Sequence, residues 1–146
     1  MPHAQRTIVI ARPPAEVYAF FADAENDKNW RAGVALIRRE GPLAVGTRYT
    51  QRIAGPGGRQ VPADVEITAL DPDTRVAFRG VAGPVRPEGD YSFAPAEGGT
   101  SVTFTLDAEL TGVKKLLMAK PVQKSMDAEM ANLDKAKALL ESESGG

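Results

Sequence analysis

The chain has 146 residues, 42% of them hydrophobic, with 18 Lys and Arg against 19 Asp and Glu and a formal net charge of -1. That is enough apolar material for one domain with a core, and the interspersed charges argue against the basic field that holds a nucleic-acid backbone. Cysteine is absent, which excludes disulfides, thiolate metal ligands and a cysteine nucleophile, and no apolar run reaches membrane-spanning length.

The opening MPHAQRTIVIARPP lacks the long apolar core and small-residue cleavage site of a signal peptide. The expectation is a soluble, cytoplasmic single domain over 1–146, with an ordered core from about 5 to 141. A β-branched run predicts a first strand over 6–12, ended by Pro13 and Pro14. AEVYAFFADAEN at 15–26 then carries Val17, Tyr18, Phe20 and Phe21 in a short helical pattern. Residues 26–30 are polar as far as Trp30, the sole tryptophan, and read as a second helical turn. From Val34 the pattern changes to strands over 34–39, 47–53, 60–70, 74–80, 86–94 and 100–110, punctuated by GPLAVG, AGPGG, DPD, VAGP and PAEGG. Such spacing predicts consecutive antiparallel hairpins.

The longest periodic segment comes last, PVQKSMDAEMANLDKAKALLE at 121–141. Val122, Met126, Met130, Leu133 and Leu140 fall on one stripe of a 3.6-residue helix, and Lys124, Asp127, Glu129, Asp134, Lys135 and Lys137 fill the charged face. Pro121 suits a first helical position, which predicts a separate turn or kink over 112–120.

Period-2 alternation predicts which face of each strand is buried. Val102, Phe104, Leu106, Ala108 and Leu110 share one side of the last strand. The same parity turns Ala63, Val65, Ile67 and Ala69 inward, with Val76, Phe78, Tyr91, Phe93, Tyr49, Gln51 and Ile53. One antiparallel sheet with a wet face and an apolar face thus meets one long amphipathic helix.

The order of strand, short helices, six-strand meander and long C-terminal helix resembles the helix-grip fold of the START-like (SRPBCC) superfamily. That superfamily includes pollen-allergen-like proteins, the polyketide cyclase/dehydrase-like family and lipid-transfer domains. The resemblance is carried by IARPPAEVY at 10–18, NDKNWRAGV at 26–34, VGTRY at 45–49, VEITALDP at 65–72 and GGTSV at 98–102, in that order. Arg12 departs from the pattern, because a small residue more often precedes the prolines. The resemblance implies an α+β fold in which a curved antiparallel sheet of six or seven strands, with two short helices, grips one long C-terminal helix. It also implies a cavity between sheet and helix for a hydrophobic small molecule. Physics supports that cavity independently, since a curved sheet and a straight helix do not pack flush along their whole length. Ala63, Ala69, Ala108, Gly80 and Gly89 remove volume from the inward face, while Met118, Met126 and Met130 are either adaptable lining or core filler.

Signals of chemistry are few. His3, the only histidine, precedes the first predicted strand at a terminus that is usually mobile, and is assigned no catalytic or metal role. No metal spacing, triad or phosphate-cradling loop stands out, so no metal and no cofactor are expected, and catalytic residues stay unassigned. Tyr49 and Tyr91 point inward and are either ligand contacts or core aromatics with locally satisfied hydroxyls. Gln51 is the polar side chain best placed to meet a ligand, unless an edge position turns it to water. Glu88 and Asp90 have the opposite parity and face solvent on a regular strand, unless a bulge near Gly89 reverses them. Trp30 either caps the cavity entrance or pins its loop to the sheet. Arg31, Arg38, Arg39, Arg48, Arg52, Arg75 and Arg79 read as a solvated strand face. The expected ligand-binding set is Trp30, Tyr49, Gln51, Tyr91, Phe93, Phe104, Met118, Val122, Met126 and Met130. The function the resemblance implies is binding or transport of a lipid, isoprenoid or polyketide-like molecule, more in keeping with a binding protein than an enzyme. The alternatives are a polyketide cyclase/dehydratase using the same cavity, and a stress-response or chaperone-associated domain using its surface. The expected partner is that hydrophobic ligand, with no nucleic acid and no integral membrane association.

Overall fold

A computed structural model describes residues 2–54, 58–82, 86–109 and 115–142, without the side chains of 109 and 115–118. The elements run β1 (His3–Ile10), α1 (Pro14–Ala22), a 3-10 helix (Ala24–Asn29), β2 (Val34–Glu40), β3 (Arg48–Ala54), β4 (Gln60–Pro62), β5 (Val65–Asp71), β6 (Arg75–Gly80), β7 (Arg86–Ala96), β8 (Gly99–Glu109) and α2 (Lys115–Ser142). The strands form one antiparallel sheet in the order β1-β8-β7-β6-β5-β3-β2, with β4 paired to β3 off that path. This is the α+β helix-grip architecture: a sheet, two short helices, and one long C-terminal helix.

Four features differ from the sequence reading, each for a local reason. The first strand begins at His3, because the 11-residue β8 runs far enough to pair His3 with Asp107. His3 is thus part of the sheet and bonds the Asp107 carboxylate through Nδ1. The predicted 60–70 strand is two strands. At the break the Asp64 carboxylate accepts the Gln51 N–H at 3.0 Å, and the Ala63 N–H donates to the Gln51 carbonyl at 2.8 Å. A bulge between Ile67 and Ala69 then flips the parity, so that Leu70 pairs with Val76 and packs on the core while Ala69 pairs with Ala77. Finally, α2 begins before Pro121 and contains it. The proline forfeits one backbone hydrogen bond without ending the helix. Residues 115–120 are therefore continuous with α2, and 112–114 lie outside the described residues.

The predicted stripe of α2 is buried: Val122, Met126, Met130, Leu133 and Leu140, joined by Ala136. It packs against Ile8, Ile10, Val102, Phe104 and Leu106 from the sheet, together with Val17 and Phe21 of α1. Helix α2 also covers the sheet's edge strand β1, which keeps that edge from pairing elsewhere. Arg6 donates to the Met130 carbonyl at 3.0 Å and to Asp134 at 2.7 Å, and Lys137 donates to the Val9 carbonyl at 2.6 Å. Arg12 donates to the carbonyls of Leu140 (2.8 Å) and Glu141 (3.2 Å). A cation on the last carbonyls of a helix satisfies unpaired acceptors and complements the helix dipole, which accounts for an arginine at this position.

Candidate functional site

Between the sheet and α2 lies a cavity of about 190 Å³. Pockets for drug-sized ligands begin at roughly 300 Å³, so this space admits a small molecule or one end of a longer one. Ile67, Val76, Phe78, Leu106 and Ala108 line the sheet side, and Val122 and Met126 line the helix side. Gly89 shapes the wall: a Cβ there would come within 2.2 Å of the Phe78 ring, so only glycine lets that ring lie flat over β7.

Among the described residues the lining is apolar except for Asp27, Arg31, Gln51, Tyr91, Ser125 and Glu129. Several of these converge because of how the chain leaves α1. Asp23 caps the 3-10 helix by accepting the Glu25 N–H. The helix ends with the N–H groups of Trp30 and Arg31 both donating to the Asp27 carbonyl, at 3.1 and 2.7 Å. Trp30 is then buried against Phe21, Tyr91 and Phe104, and this anchors the turn.

The anchored turn holds Arg31 at the cavity, where its guanidinium makes four hydrogen bonds. Nε donates to Glu129 Oε2 at 2.5 Å and Nη2 to Glu129 Oε1 at 3.3 Å, a fork that ties the turn to α2. Nη1 donates to Asp27 Oδ2 and to Gln51 Oε1, each at 2.9 Å. A guanidinium has five N–H groups, so one on Nη2 has no partner among the described residues. Gln51 is itself fixed, since its Nε2 donates to the Ala63 carbonyl at 2.7 Å.

Burial pushes the Asp27 carboxyl up to about 6, against the pull of the Arg31 charge. Burial also opposes the charge on Arg31, yet Glu129 and Asp27 outweigh it and drive that pKa further up, so Arg31 stays cationic. The Tyr91 phenol is pushed well above its ordinary value, first by burial and then by the Asp27 charge. It therefore stays protonated, and its hydroxyl has no hydrogen-bond partner among the described residues. Tyr91 stacks on Phe104 with ring centroids 4.3 Å apart and on Phe21 at 4.7 Å, which fixes the hydroxyl beside the ion cluster.

Of the residues singled out from the sequence, Gln51, Tyr91, Phe104, Val122 and Met126 border the cavity. Trp30, Tyr49, Phe93 and Met130 are buried in the core away from the lining. Of the two readings of Trp30, this placement matches the pin. The side chain of Met118 lies outside the described residues. Two assignments need correcting. Arg31 does not belong to a solvated strand face, and Glu129 does not belong to the wet face of α2; their side chains are only 16% and 17% exposed, on each other. Asp27 is a site residue that the sequence reading missed, since it sits in a polar stretch. The available signal was the i,i+4 spacing of Asp27 and Arg31 around the sole tryptophan. Among the described residues no group of His, Cys, Asp or Glu could hold a metal ion, and no helix is long and apolar enough to cross a membrane.

A curled sheet gripping a long helix over an apolar cavity defines the START-like (SRPBCC) class. Within it, the sequence profile described as "Polyketide cyclase / dehydrase and lipid transport" matches residues 1–137, and the chain belongs to that family. A protein from Thermus thermophilus is similar in structure, with a TM-score of 0.82 and 27% identity, covering 98% of this chain and 99% of that one. The di-domain ARO/CYC StfQ from the steffimycin biosynthetic pathway superposes with a TM-score of 0.81 at 16% identity, over 99% of this chain and 52% of its own. A Deinococcus radiodurans protein follows at 0.72 and 19%, with 97% and 98% covered. No curated protein sequence matches the chain.

Proposed function

We propose that this protein binds an apolar small molecule, lipid-like or polyketide-like, in the cavity beneath α2, with a polar atom of the ligand against Arg31 and Tyr91. The observation that carries this reading is a pair of unused donors, one Arg31 N–H and the Tyr91 hydroxyl, bordering one cavity whose lining is mostly apolar. Apolar walls with a few convergent polar groups are the general pattern of small-molecule sites.

Met126→Trp tests it, with a neutral apolar fluorescent probe. Met126 borders the cavity, so the larger ring fills empty space; probe binding is lost while the melting temperature changes little. A parent that never binds the probe, with a variant destabilised by roughly 1 to 3 kcal/mol through overpacking, overturns the reading.

A second reading is favoured by one observation. The same cavity holds a carboxyl raised to about 6, a neutral phenol and a fixed cation, which are groups suited to acid/base work and to polarising a carbonyl. That supports a cyclase or dehydratase acting on a polyketide-like substrate. A poly-β-ketone thioester left linear after incubation with the protein removes this second reading and leaves the first intact.

A further inference from the structure

The charge balance of the cavity restricts what its ligand can be. Among the described residues the charged groups of the lining are Asp27, Arg31 and Glu129. Glu129 takes the guanidinium by its Nε and Nη2 edge, and Asp27 and Gln51 take both N–H groups of Nη1. An arginine that recognises a carboxylate or phosphate offers a two-donor fork and an unmatched positive charge. Arg31 offers neither, since one N–H remains and two carboxylates already outnumber its charge. A ligand carboxylate would be a third anion around one cation, in a low-dielectric space where like charges repel strongly. A ligand cation fares poorly against the spare Arg31 N–H for a different reason: the fixed guanidinium charge repels it there, and the N–H offers it no acceptor. A neutral acceptor satisfies both donors, the Arg31 N–H and the Tyr91 O–H, without adding charge.

From this arrangement we infer that the cavity selects a neutral carbonyl compound, a ketone or ester on an apolar body, and rejects free carboxylic acids, with Glu129 as the residue that sets the discrimination. This rests on the ligand-binding reading above and narrows it to a chemical class. Fatty acids and acidic metabolites are excluded as ligands; neutral ketones, quinones and esters are retained. Glu129 acts through Arg31. By occupying the guanidinium edge that would otherwise receive an anion, it turns a general anion site into a single-donor site.

Three naphthalenes of one shape test the inference: 2-acetylnaphthalene, 2-naphthoate and 2-naphthylmethylammonium, titrated at about pH 8, where the acid is ionised and the amine protonated. The ketone is expected to bind at least about tenfold more tightly than either charged isostere. Glu129→Gln keeps an oxygen for Arg31 and removes one negative charge, so the ketone-to-naphthoate affinity ratio should fall by about tenfold. The parent ratios are informative even if the variant fails to fold. Naphthoate or the ammonium binding the parent as tightly as the ketone overturns the neutral-ligand inference and leaves the binding reading standing. A folded Glu129→Gln variant with an unchanged ketone-to-acid ratio overturns the role of Glu129. A parent that binds none of the three defeats the binding reading itself, and this inference with it.

Discussion

Two polar networks flank the 3-10 helix, each built from an aspartate, a glutamate, an arginine and a tyrosine, and they have opposite character. On one side, the Tyr49 hydroxyl donates to Asp23 at 3.1 Å and accepts the Ala24 N–H at 3.3 Å; Arg39 donates to Asp23 at 2.9 Å, and Glu25 accepts the Arg39 backbone N–H at 2.7 Å. The tyrosine hydroxyl both donates and accepts, and the network clamps the 3-10 helix to β2 and β3. On the other side, Asp27, Arg31, Gln51 and Glu129 border a cavity, the Tyr91 hydroxyl has no partner among the described residues, and Arg31 keeps one spare N–H. Residue types do not distinguish the two. What distinguishes them is which hydrogen-bonding groups are left over, and whether those groups face a space that a molecule can enter.

The largest effect expected from breaking this comparison is at Arg31. Arg31→Met leaves Asp27 and Glu129 without their cation inside the protein, and removing one partner of a buried ion cluster costs about 3 to 5 kcal/mol. Arg39→Met, in the clamp, leaves its partner Asp23 nearer to water and should cost clearly less. Denaturant unfolding of both variants gives the order. Equal losses would mean that the cavity cluster is as solvated as the clamp.

The next effect is a pH dependence. The Asp27 carboxyl is raised from its ordinary 3.8 to about 6, chiefly by burial. The folded protein therefore holds a proton that the unfolded chain has released. The sign follows: this contribution to stability is fully present below about 3.8 and is lost as pH rises through about 6. Its size is on the order of 2 to 3 kcal/mol. Asp27→Asn keeps an oxygen for Arg31 and removes the titration, so the difference in unfolding free energy between parent and variant should change across that window and be flat above it. A difference independent of pH from about 4 to 7 would show that Asp27 is ionised throughout.

How much of this is legible in the sequence depends on the range of the interaction. The period of α2 and the parity of β8 are properties of neighbouring residues, so the buried stripe from Val122 to Leu140 and the inward run from Val102 to Ala108 can be read directly. The bulge at Thr68 cannot, because no local pattern marks where one strand gains a residue on its neighbour, and parity misplaces Ala69 as a result. Pro121 reads as a boundary on its usual preference, and tertiary packing overrides it. The site residues are hardest. Arg31 and Glu129 lie 98 positions apart and each looks like an ordinary surface charge; only the closure of α2 over the turn buries them together. Parity finds the inward tyrosines, but it cannot tell a satisfied hydroxyl from a free one.

That last distinction gives the smallest and most discriminating expectation, since Tyr49 and Tyr91 can be altered in the same way. Tyr49→Phe removes the acceptor of the Ala24 N–H and a donor to Asp23. Leaving such groups unpaired costs about 1 to 2 kcal/mol, while the cavity, which Tyr49 does not border, should bind a neutral ketone as before. Tyr91→Phe removes a hydroxyl with no protein partner among the described residues and keeps the ring stacked between Phe104 and Phe21. Its stability should change by no more than about 0.5 kcal/mol, but ketone affinity should fall about fivefold, the worth of one hydrogen bond of about 1 kcal/mol. Thermal unfolding and ketone titration on the two variants thus give a crossed result, in which stability is lost in one and affinity in the other. If Tyr91→Phe instead loses stability and keeps its affinity, the Tyr91 hydroxyl is a structural group like that of Tyr49, and the cavity network is a second clamp.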